Sequence, residues 1–273
     1  MDWIKMHSDI PRMMDTVRSK RPLVVHVTNI VTVNDCANVC IAAGGSPCMS
    51  TEPSDASDLV RIADAVVVNI GTPDRSVIGD ALFAAAETAA DLRKPLVLDP
   101  AGCGASGLRT DVTRRIIDGC VSKSPGTCII KGNAGEIGFL SGLGGEVRGV
   151  DSAGASDACA STLGLARSLG CVVSCTGPTD YVSDGKDTIT LNRGTPMEEN
   201  VSGTGCMVSS VTGCYAGACG VSAASAAAAV TVFNIAAEKA AAVSAGPGTF
   251  RLNLMDAIYG LSKDDFRCSN SMP

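Results

Sequence analysis

The segment Ala65-Val66-Val67-Val68-Asn69-Ile70-Gly71 is a run of apolar, mostly β-branched residues that ends in a polar residue and a glycine. A run of this kind predicts a strand that is buried on both faces, as in a parallel sheet covered by helices. Residues 74–92 then have a helical pattern, and residues 95–98 form a second apolar run, which continues into Asp99-Pro100. We therefore predict a strand–helix–strand unit of a parallel sheet for residues 65–98.

The same alternation continues on both sides of this unit. The further predicted elements are strands at 22–27, 128–130 and 171–174, and helices at 33–43, 110–121, after 133 and at 152–169. Residues 181–191 are predicted to form a hairpin around Asp184-Gly185, and the chain from Gly203 onward is predicted to be helical, at about 205–219, 221–243 and 248–262.

These patterns together predict the fold class. It is α/β, with a mostly parallel central sheet, helices on both faces, an antiparallel hairpin near residues 180–192 and a helical C-terminal third. No linker or low-complexity tract divides the chain, so we expect a single domain over residues 1–273. Its core is predicted at about 20–262, and the residues after Lys263 are predicted to form a flexible tail.

The composition excludes several classes of partner. The 273 residues carry a net charge of −6, which favours neither nucleic acid nor an anionic membrane surface. Only 18% of the residues are charged, which indicates that some surface is hidden between subunits. The apolar segment 223–243 is interrupted by Asn234, Glu238 and Lys239, so we interpret it as a buried helix rather than a membrane span.

The chain has thirteen cysteines and only two histidines, His7 and His26. An odd number of cysteines without a Cys-x-x-Cys pair argues against a disulfide framework and against a zinc site. We therefore expect most cysteines to pack as small apolar residues in a protein of the reducing cytoplasm. No apolar region typical of a signal peptide follows Met1, which agrees with a cytoplasmic location.

The segment Gly203-Thr204-Gly205-Cys206 comes directly before a predicted helix. Two glycines and a helix N-terminus can direct several N–H groups at one point, so this segment is a candidate anion hole for a phosphate. The P-loop pattern and the dinucleotide-binding pattern are both missing from the chain. Cys206 in the first helical turn is expected to have a lowered pKa and to act as a weak base or nucleophile, although it could equally be one more packed cysteine.

Three further candidates follow predicted strands. Asp99 and Glu136 are carboxylates that could hold Mg²⁺, and Lys131 could bind the phosphates of ATP. The alternatives are a first-turn helix acid for Glu136 and a solvated strand-end side chain for Lys131. Because the carboxyl ends of parallel strands share one edge of the sheet, we expect all three to lie near that edge.

The ordered set of motifs resembles the hydroxyethylthiazole kinase family, which has a ribokinase-like fold and acts in thiamine biosynthesis and salvage. The resemblance covers roughly residues 22–262. The motifs that carry it are His26-Val27-Thr28-Asn29, Gly45-Ser46-Pro47-Cys48-Met49, Asn69-Ile70-Gly71-Thr72, Asp99-Pro100-Ala101-Gly102, Lys131-Gly132-Asn133-Ala134-Gly135-Glu136, Thr176-Gly177, Gly203-Thr204-Gly205-Cys206 and Gly246-Pro247-Gly248.

The resemblance implies a reaction and a role for each matching residue. The expected activity is transfer of the γ-phosphoryl of ATP to the hydroxyl of 4-methyl-5-(2-hydroxyethyl)thiazole, with Mg²⁺. The implied roles are substrate binding for Met49 and Gly203, ATP binding for Lys131 and Thr176, metal binding for Asp99 and Glu136, and a catalytic position beside the attacking hydroxyl for Cys206. The family also implies a homotrimer with active sites at the subunit interfaces.

Two positions depart from the family pattern, and other functions compete with this one. Lys131 stands where the family usually has Arg, which removes a planar fork for phosphate, and Gly135 stands where Ser is commoner. The alternatives are a ribokinase-like kinase of hydroxymethylpyrimidine or pyridoxal, an ATP-dependent hydratase-type lyase, and a catalytically weak protein that binds thiazole or nucleotide.

Overall fold

The computed structural model describes residues 3–73, 77–142 and 157–266. Within these residues, eight strands form a single sheet in the order β2-β1-β3-β4-β5-β6-β7-β8, parallel from β2 to β6 and antiparallel from β6 to β8. The strands are β1 Leu23–Val27, β2 Ser46–Met49, β3 Ala65–Asn69, β4 Leu96–Asp99, β5 Cys128–Asn133, β6 Val172–Thr176, β7 Asp180–Ser183 and β8 Thr188–Leu191.

Ten α-helices accompany the sheet in the described part of the chain. They are α1 Trp3–Lys20, α2 Val33–Ala43, α3 Pro53–Ile62, α4 Val77–Asp91, α5 Gly107–Ile116, α6 Ala134–Ser141, α7 Ala158–Leu169, α8 Thr204–Cys219, α9 Ala223–Val243 and α10 Pro247–Gly260. A π-helical turn at Ile117–Val121 follows α5, and short 3₁₀ helices lie at Pro125–Thr127, Pro196–Asn200 and Lys263–Phe266. The predicted fold class is confirmed, including the antiparallel hairpin and the helical C-terminal third.

The central strands are buried on both faces because their side chains alternate between two apolar layers. Val24 and Val67 pack in one layer with residues of α1, α2, α8, α9 and α10. Val25 and Val66 pack in the other layer with residues of α3, α4, α5, α6 and α7. Each apolar run of the sequence therefore serves two cores, which is why these strands show no polar face.

Helix α8 lies unusually close to the sheet. A side chain at Gly213 would approach Val67 Cγ2 to 2.6 Å and Val24 Cγ1 to 2.9 Å, so only glycine fits between the helix and strands β1 and β3. This close contact holds the first turn of α8 above the carboxyl edge of the sheet, where the candidate site residues lie.

Helix α9 is the apolar segment that was predicted to be a buried helix. It is long and apolar enough to cross a membrane, but 72% of its most apolar window is buried inside the protein. Phe233 is fully buried in the same core layer as α8. The interpretation of α9 as a core helix is confirmed.

The twelve cysteines in the described residues are all free thiols. Most of them are buried, and burial raises the pKa of Cys128 and Cys171 to about 12. Such thiols carry no charge at neutral pH and pack as apolar groups, as predicted.

The structure adds three elements that were not predicted and corrects the ends of the chain. Helix α1, strand β2 and helix α3 were missed. Ile10, Met14 and Phe266 belong to the main core layer, which therefore extends at both ends beyond residues 20–262. Residues 263–266 form a 3₁₀ helix held by a Lys239–Asp265 ion pair rather than a loose tail. Asp74, residues 152–156 of a predicted helix and residues 267–273 of the predicted tail lie outside the described residues.

Candidate active site

The candidate site lies where the strand order reverses. Strand β1 has β2 on one side and β3 on the other, so the loops that follow β1 and β3 diverge and leave a crevice at the carboxyl edge. Asn29 follows β1 and Asn69 ends β3, while Asp99 ends the neighbouring strand β4. The first turn of α8 approaches this crevice through Cys206, which contacts both asparagines.

Gly203 caps the N-terminus of α8 in the left-handed conformation, with φ of 86°. A side chain at this position would collide with the methyl group of Thr32, so the loop can follow this path only with glycine. The first N–H groups of a helix have no partner inside the helix. The N–H groups of Thr204, Gly205 and Cys206 are therefore the ones that would form the predicted anion hole.

Cys206 lies at the centre of a small polar cluster. Its Sγ accepts hydrogen bonds from Asn29 Nδ2 at 3.3 Å and from Asn69 Nδ2 at 3.2 Å. Asn29 Nδ2 also donates to Asn69 Oδ1 at 3.0 Å, which joins the ends of β1 and β3.

The predicted lowering of the Cys206 pKa is wrong. Burial raises the pKa of the thiol, and the nearby Asp99 carboxylate raises it further. The Lys131 ammonium and hydrogen bonds from Thr32 and Asn69 act in the opposite direction but do not outweigh burial. At neutral pH this cysteine is a neutral thiol, because its removal from water disfavours the charged thiolate.

Two buried carboxylates flank the anion hole. Asp99 Oδ2 accepts a hydrogen bond of 2.6 Å from Ser209 Oγ in the second turn of α8. Glu136 Oε1 accepts the N–H of Gly102 at 2.7 Å, and Oε2 accepts the N–H of Asn133 at 2.8 Å. Glu136 therefore joins the loop after β4 to the end of β5, and with Asn133 it forms the capping box at the N-terminus of α6.

Burial raises the pKa of both carboxyl groups. The pKa of Glu136 rises to about 7, first because of burial and second because of the negative charge of Asp99. The pKa of Asp99 also rises through burial, although Lys131, Ser209 and Asn69 offset part of this effect. The charge of Asp99 thus opposes the ionisation of Glu136, and the Lys131 ammonium offsets part of this effect.

Lys131 is buried rather than solvated, with only 3% of its surface exposed. Its Nζ donates a hydrogen bond of 3.0 Å to the carbonyl oxygen of Gly205 in the anion-hole loop. The ammonium therefore lies beside the anion hole, and its charge lowers the pKa of Asp99.

A further pair of acidic groups lies beyond Lys131. Thr176 ends β6, and the N–H of the next residue, Gly177, donates to Asp180 Oδ1 at 3.0 Å. Asn234 Nδ2 donates to the other oxygen of Asp180 at 2.7 Å. Burial raises the pKa of Asp180 to about 6 and that of Glu198 to about 7.

The predicted site residues form a central group with two flanking positions. The central group consists of Asp99 at the end of β4, Lys131 in β5, Glu136 in the first turn of α6, and the Gly203–Cys206 segment at the start of α8. Met49 ends the edge strand β2, where it pairs with His26, and Thr176 ends β6 on the far side of β5. The three parts thus lie in sequence along one edge of the sheet.

The acidic groups fit a divalent cation. In the described part of the chain, no group of three or more His, Cys, Asp or Glu side chains could hold a metal. Asp99 and Glu136 are instead two buried carboxyl groups, close enough that the charge of Asp99 raises the pKa of Glu136. Mg²⁺ is commonly held by one or two carboxylates together with water and substrate phosphates, so the donor set is suitable.

Sequence reasoning missed the side chains that hold the site together. Asn29 and Asn69 were recognised only as polar strand ends, and Ser209 was not considered. The signal for Ser209 was available, since two consecutive serines interrupt the apolar residues Met207-Val208 and Val211 of α8. A buried helical hydroxyl needs a partner, and for Ser209 that partner is Asp99.

The chain is similar to several known proteins. A hydroxyethylthiazole kinase of Methanoculleus marisnigri is 45% identical over 254 residues, which cover 93% of this chain and 89% of that protein. The structure of a hydroxyethylthiazole kinase from Pyrococcus horikoshii matches with a TM-score of 0.85 and 38% identity, covering 96% of each chain. A ribokinase-like superfamily protein from Enterococcus faecalis, with 12% identity and a TM-score of 0.64, shares the fold over 92% of this chain and 95% of that chain.

The model of one protein family matches residues 14–264, nearly the whole described chain. The sequence motifs, the ribokinase-like fold and the relatives all lead to the same assignment, and the chain belongs to the hydroxyethylthiazole kinase family.

Proposed function

We propose that this protein transfers the γ-phosphoryl group of ATP to the hydroxyl of 4-methyl-5-(2-hydroxyethyl)thiazole, in thiamine biosynthesis or salvage. The observation that carries the proposal is the arrangement around the first turn of α8. The buried Lys131 ammonium and the Asp99 carboxylate both contact the first two turns of this helix, and Glu136 lies close to both of these groups.

Phosphoryl transfer passes through a loose transition state, so positioning and charge neutralisation dominate its catalysis. The N–H groups of residues 204–206 would stabilise the charge on the transferring group. Lys131 would bind phosphate oxygens through the protons that it does not donate to Gly205. Mg²⁺, held by Asp99 and Glu136, would neutralise phosphate charge when bound.

The remaining site residues divide between the two substrates. Met49 and Gly203 would contact the thiazole alcohol, and Thr176 would contact ATP. Cys206 would lie beside the attacking hydroxyl. As a neutral thiol, it would orient that hydroxyl rather than serve as a strong base, which a loose transition state does not require.

We further propose a cytoplasmic homotrimer with active sites at the subunit boundaries. The location is supported by twelve free thiols, which are typical of a reducing compartment. The trimer is supported by the low content of charged residues and by exposed apolar side chains beside the site, Ile30 and Val31.

The test of the reaction is an assay of ADP release with three alcohols, the thiazole, hydroxymethylpyrimidine and pyridoxal, at equal concentrations. We expect rapid release with the thiazole alcohol and a product whose mass has increased by one phosphoryl group. Faster turnover of either of the other alcohols would overturn the proposal. Binding of the thiazole without ADP release would instead assign the protein to the catalytically weak class.

The test of Cys206 uses two substitutions in the same assay. Cys206→Ser keeps a small polar group and is expected to lower kcat by about tenfold without unfolding the protein. Cys206→Asp is expected to keep or raise kcat, since the amides of Asn29 and Asn69 can donate to a carboxylate. If neither change affects kcat, Cys206 has no part in the reaction.

A further inference from the structure

The side-chain amides of Asn29 and Asn69 both donate to the sulfur of Cys206. The proposed function gives neither amide a role in the reaction. The orientation of each amide is fixed by backbone N–H groups that donate to its oxygen atom. Asn29 Oδ1 accepts the N–H groups of Val31 and Thr32, both at 3.1 Å, and Asn69 Oδ1 accepts the N–H of Gly71 at 2.8 Å. Because each oxygen is occupied by donors, each NH₂ group has to face the sulfur.

This arrangement determines how the sulfur can behave. Both amide nitrogens are donors only, so Cys206 Sγ accepts from them and directs its own proton elsewhere. Asn29 follows β1 and Asn69 ends β3, so the position of the sulfur depends on the two strands that form the switch point. The Asn29 Nδ2 to Asn69 Oδ1 hydrogen bond couples the two amides into one unit.

We propose that Asn29 and Asn69 are positioning residues for the transfer reaction, which hold the Cys206 sulfur in one orientation beside the attacking hydroxyl. This inference rests on the proposed function of Cys206. The pair does not need to touch either substrate, and it acts through the sulfur. The part of its contribution to kcat that acts through the sulfur therefore exists only while the sulfur is present, whereas Asn69 also interacts with the Asp99 carboxyl group and keeps that effect without the sulfur.

A double-mutant cycle tests that dependence. Asn29→Ala and Asn69→Ala are each made in the natural protein and in Cys206→Ala, and steady-state kinetics are measured with ATP and the thiazole alcohol. In the natural background we expect each change to lower kcat by about tenfold or more, with a much smaller effect on KM. In the Cys206→Ala background we expect a loss below about threefold for Asn29→Ala, and for Asn69→Ala, which also interacts with Asp99, a smaller loss than in the natural background.

Thr72 offers a matched control for the structural role of the asparagines. Its Oγ1 accepts the N–H of Ile30 at 3.1 Å, so it joins the same two loops without touching the sulfur. Thr72→Ala should have the same effect on kcat in both backgrounds. The inference is overturned if the asparagine changes cost as much without the sulfur as with it. Serine variants replace any alanine variant that circular dichroism shows to be unfolded.

A second measurement does not depend on turnover. The infrared S–H stretching band of Cys206 is identified by its loss in Cys206→Ala, and it is then followed in the asparagine variants. We expect the band to shift in Asn29→Ala and Asn69→Ala but not in Thr72→Ala. An unshifted band contradicts the inference about the asparagines, whereas full activity of Cys206→Ala contradicts the proposed function of the cysteine.

Discussion

His26 shows how strongly burial controls the chemistry of single residues in this protein. Its ring is fully buried, with Nδ1 3.0 Å from the Val24 carbonyl oxygen and Nε2 2.8 Å from Ser210 Oγ. Ser210 Oγ in turn donates to the carbonyl oxygen of Cys36 at 2.8 Å. One histidine therefore connects β1, α8 and α2 directly below the candidate site.

Burial lowers the pKa of His26 from 6.5 to about 4, which predicts a specific pH dependence of stability. Between these values the unfolded chain binds a proton that the folded protein does not, so the free energy of unfolding falls as the pH is lowered from 6.5 to 4. Over that interval the shift corresponds to roughly 3 kcal/mol. Below pH 4 both states carry the proton and the effect of His26 is complete.

Two measurements check this prediction. In nuclear magnetic resonance spectra, a histidine ring signal that disappears in His26→Gln should not titrate between pH 5 and 8. Chemical denaturation should show a steeper acid-side loss of stability in the natural protein than in His26→Gln. The comparison between the two proteins is essential because Glu136 and Glu198, with raised pKa values, act in the opposite direction. Equal slopes would contradict the prediction.

At the scale of secondary structure, helix α8 carries most of the site. Its first turn contains Cys206 and the N–H groups of the proposed anion hole, its second turn contains Ser209, which donates to Asp99, and Gly213 allows its close contact with the sheet. The helix thus needs small residues where it touches the strands and polar residues where it meets the carboxyl edge. This combination explains why the sequence of α8 lacks the regular spacing of apolar residues that marks one buried helix face.

We predict that Gly213→Ala destabilises the protein even though alanine favours helices. The added methyl group would lie less than 3 Å from side-chain atoms of Val67 and Val24, so the helix or these side chains would have to shift. Overpacking of this kind lowers the free energy of unfolding by about 1–3 kcal/mol. Gly164→Ala in α7 is the matched control, since open space surrounds Gly164 and the change should stabilise the helix by up to about 1 kcal/mol. Urea denaturation that gives both variants the same sign of effect would rule out the close-packing argument.

At the scale of the whole molecule, the surface beside the candidate site carries two exposed apolar side chains. Ile30 and Val31 are each 64% exposed in the loop between Asn29 and Thr32, next to the candidate site. Exposed apolar groups are common singly, but a pair beside a binding site suits a subunit boundary. This agrees with the trimer that we propose.

Light scattering after size-exclusion chromatography tests the oligomeric state. We expect the natural protein to have three times the chain mass of 27.6 kDa. The double variant Ile30→Asp/Val31→Asp should shift the mass toward the monomer and raise KM for the thiazole alcohol. Ile62→Asp on α3, also strongly exposed at 68%, should keep the trimer. A monomeric natural protein would refute the proposal.

The local pattern was sufficient for the central parallel strands β1, β3, β4, β5 and β6 and for most of the helices that connect them. Runs such as Val66-Val67-Val68 are apolar at every position because both faces of the sheet are covered, and this property is visible without coordinates. Strand β2 was missed because its four residues, Ser46–Met49, are only half-buried at the edge of the sheet and include a proline. Helix α1 contains Pro11, which argues locally against a helix, and it is held by packing on α8 and α9.

For the site, the sequence by itself determined which chemical groups end the strands, because glycines, carboxylates, amides and a lysine at those positions are readable one by one. Only the tertiary structure decided how they act on one another. Burial raises the pKa of Cys206, which the sequence led us to expect to be lowered. Packing of α8 against the sheet brings the Lys131 ammonium to the Gly205 carbonyl oxygen. The physical reason is that desolvation and contacts between distant segments depend on what surrounds a residue in space, which a local pattern does not contain.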